Sequence, residues 1–98
     1  MSPNAIRWDQ KNRERYGEEM NLRYKINQRF DRLAELESEI KNYYYKDKYL
    51  LMASRLLEFK KHLRSIVDYM KKKDCLIYDY TSRLERYTKK YEVFKNLE

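Results

Sequence analysis

The stretch from Tyr49 to Phe94, YLLMASRLLEFKKHLRSIVDYMKKKDCLIYDYTSRLERYTKKYEVF, decides the fold. Within it Tyr49, Met52, Leu56, Phe59, Leu63, Ile66, Met70, Lys73, Ile77, Tyr80, Leu84, Tyr87, Tyr91 and Phe94 follow one another in alternating steps of three and four. All but Lys73 are apolar or aromatic. Such steps place the side chains on one stripe of an α-helix, and their repetition over several heptads is the pattern of helices that pack on other helices. The unbroken phase predicts one continuous helix from about Lys48 to Leu97, ~75 Å long, with the Lys73 stem lying along the seam and its amine in water.

Upstream, a second stripe runs through Leu22, Ile26, Leu33, Leu36, Ile40 and Tyr43, with Arg29 in the one charged slot and Phe30 beside it. The two stripes fall out of register after Tyr43, which marks a turn near Tyr45 to Lys48 with Asp47 as the N-cap of the next helix. Leu50, Leu51, Ala53, Leu57 and Val67 add apolar positions that widen the expected buried face of the second helix. Glu37 and Lys41 are placed for an exposed helical ion pair. The resulting expectation is an all-α chain of long amphipathic helices, a helical hairpin or coiled-coil bundle. A helix that long outruns its partner, so a homodimer would cover the remaining stripe. The alternative is a compact three-helix bundle with a second turn at Lys71-Lys72-Lys73-Asp74, where three lysines would close one helix and Asp74 would open the next.

Residues 1-16 read as an N-terminal arm, and residues 17-98 as the helical domain. Ser2 and Pro3 suit a helix start, and Gly17 weakens a helix passing through it by ~1 kcal/mol relative to alanine. Trp8, the single tryptophan, is either a core plug or an anchor for a partner.

Composition agrees with this class. The 98 residues are 42% hydrophobic and 40% charged, with one Gly and one Pro, too few for the tight turns on which sheets and phosphate cradles depend. The single Cys75 forms no internal disulfide, no apolar run approaches the ~20 residues of a membrane span, and the first residues lack the apolar core of a secretory signal. An intracellular location without membrane contact is expected.

Enzyme chemistry finds little support in the sequence. His62 is the one histidine and lies among Lys60, Lys61 and Arg64; Cys75 has Lys71 and Lys72 a turn before it but no histidine partner. No metal-ligand spacing occurs, and no cofactor is implied. The charge is more informative. The chain carries a formal +7 with a pI near 9.4. Residues 51-74 hold seven basic residues against three acids. Lys61, Arg64, Lys71 and Lys72 lie roughly opposite the apolar stripe as a ridge suited to a phosphate backbone, with Tyr69 and Tyr78 off the stripe. Asp68, Glu58 and Glu85 stand at helical spacing from Lys71 and Lys72, Lys61 and Lys89, which would make the same lysines an ordinary paired surface.

The functional expectation is a non-enzymatic helical interaction module, an adaptor or regulator, that self-associates and docks on a protein partner. Its self-association seam would comprise Leu56, Leu63, Ile66, Met70, Ile77, Tyr80 and Leu84. The alternative is a small basic nucleic-acid-associated protein acting through Lys61, Arg64, Lys71 and Lys72.

Overall fold

A computed structural model describes the backbone of residues 3-97 and the side chains of residues 17-97. The chain is all-α: α1 (Pro3–Tyr45), α2 (Tyr49–Met70) and α3 (Asp74–Leu97). Ion pairs fix their directions. Arg32 meets Glu58 at 2.7 Å and Arg55 meets Glu39 at 3.3 Å, so α2 runs antiparallel to α1. Arg23 meets Asp79 at 2.7 Å and Lys90 meets Glu37 at 2.8 Å, so α3 runs parallel to α1. The result is an up-down-up bundle measuring 68 × 18 × 14 Å. Its radius of gyration of 18.4 Å exceeds the ~13 Å of a compact chain of this length.

The elongation comes from α1. Its 43 residues span ~64 Å, about twice the length of α2 or α3. Lys73, in the turn between α2 and α3, lies 3.8 Å from Glu18, so the helical backbone N-terminal to Glu18 runs on past the level of that turn. The helix is unbroken at Gly17, where an added Cβ would meet nothing within 4 Å. Trp8 falls within α1, and its side chain lies outside the described residues.

The core is built from three stripes of equal length. In α1 the inward residues are Leu22, Ile26, Phe30, Leu33, Leu36 and Ile40, and in α2 they are Met52, Leu56, Phe59, Leu63, Ile66 and Met70. In α3, Leu76, Tyr80 and Phe94 are buried, with Leu84, Tyr87 and Tyr91 packed against them. Each stripe takes five steps over eighteen residues; in α2 the steps alternate four and three as in a heptad, whereas α1 and α3 each take two successive steps of four and depart from it. Aromatic rings fill the middle. Phe59 has Tyr87, Tyr91 and Phe94 at ring-centre distances of 6.2, 6.3 and 6.1 Å, and Phe30 has Tyr80 and Tyr87 at 5.9 and 5.7 Å. Tilted and offset pairs of this kind add ~0.5-1.5 kcal/mol each beyond the area they bury.

The expected continuous helix through Lys73 is corrected by the structure, which takes the three-helix alternative. Lys72 N–H donates to Tyr69 C=O at 3.2 Å and Lys73 N–H to Met70 C=O at 3.3 Å, so the last turn of α2 tightens into three-residue bonds before the chain reverses. Electrostatics favours the break: three lysines complement the negative end of α2, while Asp74 stands in the positive first turn of α3. Folding α3 back covers the stripe that was expected to require a second chain. It also changes the seam. Ile77 is 41% exposed, and Leu76, absent from the heptad reading, is fully buried in its place. The same exchange occurs in α1, where Phe30 rather than Arg29 enters the core.

The first turn also differs from the N-cap expectation. Asp47 has φ of 57°, in the left-handed region. Lys48 N–H donates to Tyr43 C=O at 2.9 Å and Asp47 N–H to Tyr44 C=O at 3.2 Å, the paired bonds of a Schellman motif that closes α1. Asp47 therefore ends the first helix instead of capping the second, whose N-cap, Lys48, makes no side-chain capping bond.

Two predictions follow from these turns. Leu76→Ala should cost ~2-5 kcal/mol in urea unfolding, whereas Ile77→Ala should cost less than ~1 kcal/mol; equal losses would restore the continuous heptad. Asp47→Gly should raise the thermal midpoint by relieving ~1 kcal/mol of left-handed strain, and Asp47→Val should lower it.

Candidate interaction surfaces

The residues expected to form a self-association seam lie mostly within one chain's own core. Leu56, Leu63, Ile66, Met70 and Tyr80 are buried there, Leu84 packs against them, and Ile77 faces outward. The apolar surface that remains free is elsewhere. Leu50, Leu51 and Leu57, which the sequence pattern placed in a wider buried face, are exposed, Leu50 to 90%. Around the first turn Leu50 and Leu51 stand beside Tyr44, Tyr45 and Tyr49, and Tyr45 is 84% exposed. The Tyr44 and Tyr45 rings lie 6.2 Å apart. Tyr49 donates its hydroxyl proton to Asp47 Oδ1 at 2.9 Å, and the carboxylate beside it raises the tyrosine pKa. The Schellman turn holds this end in place: because α1 closes at Asp47 and α2 starts two residues later, five apolar side chains share one tip of the bundle.

The other candidate surface is basic. Carboxylates concentrate at the helix seams. Glu58 accepts from Arg32 and lies 3.5 Å from His62. Glu37 accepts from Lys41 at 3.1 Å, as its spacing predicted, and from Lys90 of α3 at 2.8 Å. Glu39 faces Arg55 at 3.3 Å without hydrogen-bond alignment, which leaves Arg55 Nε and Glu39 Oε2 unsatisfied. The helical pairs expected for the outer lysines do not form among the described residues. Lys61, Arg64, Lys71 and Lys72 are exposed, and none of them makes an ion pair there. Lys72 instead sits 5.6 Å from the centre of the Tyr69 ring. Arg64 and Lys71 border a shallow groove between α2 and α3, floored by Leu63 and Tyr91. Lys73, expected on the seam, is half-buried in the second turn and pairs with Glu18 at 3.8 Å.

Among the described residues no three His, Cys, Asp or Glu side chains converge to hold a metal ion, and no helix is long and apolar enough to cross a membrane. Cys75 is a free, exposed thiol at the start of α3. Comparison with protein-family models, curated protein sequences and solved structures gives no match.

The seam ion pairs set the pH response. The Arg32 hydrogen bond holds Glu58 below its ordinary 4.5. Burial pushes Glu37 upward, but its bonds to Lys90 and Lys41 outweigh that and leave it lowered. Burial, reinforced by Arg29 and Arg32, also lowers His62 from 6.5 against the opposing pull of Glu58. A base with a depressed pKa in the folded state stabilises fully above its unfolded value and loses that contribution as pH falls towards the folded one. The urea midpoint should therefore begin to fall below pH 6.5 and fall further below 4.5 as the carboxylates protonate. His62→Gln should remove the first decline and keep the second; an unchanged profile would exclude His62 as its source.

Proposed function

We propose that this chain is a non-enzymatic helical interaction module that self-associates and docks on a protein partner through the tip formed by Tyr44, Tyr45, Tyr49, Leu50 and Leu51. The observation that carries the reading is the exposure of five large apolar side chains on one turn of a bundle whose own core is already complete. Clustered apolar surface of this kind loses contact with water when it meets a similar surface, and two copies of one tip can do so about a twofold axis. The homodimer proposed here thus uses the tip and leaves the internal seam untouched. An intracellular location, read from the single free thiol, belongs to the same proposal.

A second reading, association with nucleic acid, is favoured by one specific observation: Lys61, Arg64, Lys71 and Lys72 remain without carboxylate partners among the described residues while the seam acids pair elsewhere. Unpaired cations along one face are what a phosphate backbone neutralises.

Light scattering on the full chain at high micromolar concentration tests the leading reading. A dimer is expected, and Leu50→Asp should convert it to a monomer with unchanged helicity by circular dichroism. A fully helical monomer at that concentration would defeat self-association; a dimer indifferent to Leu50→Asp would move the interface away from the tip.

A further inference from the structure

The end of the bundle opposite the tip carries a different chemistry. Tyr69, on the last turn of α2, is half-buried against α1 and has three cations around its ring. Arg29 Cζ lies 5.3 Å from the ring centre, Lys72 Nζ 5.6 Å and Lys25 Nζ 5.7 Å. Lys25 and Arg29 are one turn apart on α1; Lys72 stands just beyond the end of α2. None of the three makes a carboxylate ion pair among the described residues. Asp68, the nearest acid along α2, precedes Tyr69 by one position and so projects ~100° away around the helix. The cations repel one another, and the ring face offsets only part of that repulsion.

Two features show unused bonding capacity. Arg29 Nε is buried without an acceptor. Arg29 Nη2–H donates to the Tyr69 hydroxyl oxygen at 3.3 Å, which leaves the hydroxyl proton available for an acceptor of its own. The same guanidinium hydrogen bond lowers the tyrosine pKa, making the hydroxyl a better donor. An anion placed between Lys25 and Lys72 would accept from two ammonium groups and from a polarised phenol, and would relieve the repulsion among the cations.

We propose that Lys25, Arg29, Tyr69 and Lys72 form a phosphate-binding site that takes a phosphodiester of a nucleic-acid strand, with Lys25, Lys72 and the Tyr69 hydroxyl contacting phosphate oxygens and Arg29 orienting the hydroxyl. The inference rests on the nucleic-acid reading above and gives it a specific contact point. A strand is favoured over an isolated phosphate because the surplus charge continues from Lys72 through Lys71 to Arg64 and Lys61 along the outer side of α2. That run covers ~16 Å of helix, more than one phosphate group can neutralise.

The test is fluorescence anisotropy of a labelled single-stranded DNA of mixed sequence against the full chain, with salt varied from about 50 to about 200 mM. The double variant Lys25→Gln/Lys72→Gln should lower the slope of log affinity against log salt by ~1.4, that is ~0.7 for each contact removed. A charge-matched control on the exposed face of α3, Lys89→Gln/Lys95→Gln, should change the slope by less than half as much. Tyr69→Phe should weaken binding several-fold at constant slope, because it removes a donor without removing charge. Circular dichroism of each variant should match the parent. If the double variant behaves like the control while Lys61→Gln/Arg64→Gln lowers the slope, the site is wrong and nucleic-acid association stands. If the parent chain does not bind, both fail. A singly phosphorylated peptide that binds as tightly as the DNA overturns the assignment to a strand.

Discussion

Everything in this molecule depends on the mutual burial of three apolar stripes of six residues each. A helix of 22 or 24 residues rich in tyrosine and charge has little stability in water by itself, because propagation barely repays a costly nucleus. Covering a side chain such as Leu33, Phe59 or Ile66 completely contributes ~1.5-3 kcal/mol relative to leaving it in water. That term is large enough to hold the helices together only if all three stripes meet. The reversal at Lys71 to Lys73 makes the meeting possible, because α1 and α2 alone would leave the aromatic face of α3 in water.

The same packing arranges the charges. Arginines and acids at the margins of the stripes come close enough across the seams to pair, as Arg32 does with Glu58 and Arg23 with Glu19 and Asp79. These half-exposed pairs contribute little to stability individually, but they choose among helix directions and registers. Glu58 and Glu37 lie on the inner side of this arrangement, and the lysines at helical spacing from them compete with better-placed partners across the seam. Lys61 loses that competition, whereas Lys41 shares Glu37 with Lys90. A chain with more bases than acids then has to leave its excess cations outside, and their places follow from the fold.

Much of the fold was legible in the sequence. The six buried residues of α2, Met52, Leu56, Phe59, Leu63, Ile66 and Met70, all lie on the expected stripe, although its first member, Tyr49, is exposed; the first turn falls within a residue or two of its expected place, and the all-α class follows from pattern and composition together. Two of the failures share one cause. A strict seven-residue repeat does not hold at the start of the α1 and α3 stripes, where two successive steps of four carry the seam through Phe30 rather than Arg29 and through Leu76 rather than Ile77. Counting at 3.6 residues per turn back from Phe94 would have selected Leu76. The unbroken phase through Lys73 concealed a turn because a three-residue reversal restores the stripe by Tyr80, and the lysine triplet followed by Asp74 was the better signal. The surfaces were less legible. Leu50 and Leu57 read as core because apolar residues usually are; that they lie on the outer side of α2 depends on which face α1 and α3 occupy. The grouping of Lys25 and Arg29 with Tyr69 joins residues 40 or more positions apart and needs the antiparallel register to appear.

The two surfaces sit at opposite ends of α2, whose 22 residues separate them by ~33 Å. One is an apolar tip set by a Schellman turn; the other is a cationic cluster set by a turn of three lysines. Neither turn contains glycine, so each uses a residue whose charge or side-chain bonding remains available at the surface: Asp47 binds the Tyr49 hydroxyl, and Lys72 approaches Tyr69. The chain's scarcity of glycine thereby shapes more than its secondary structure. It places polar side chains at both reversals, where they border the exposed tyrosines at one end and the half-buried tyrosine at the other, and the length of α2 sets the distance between those two chemistries.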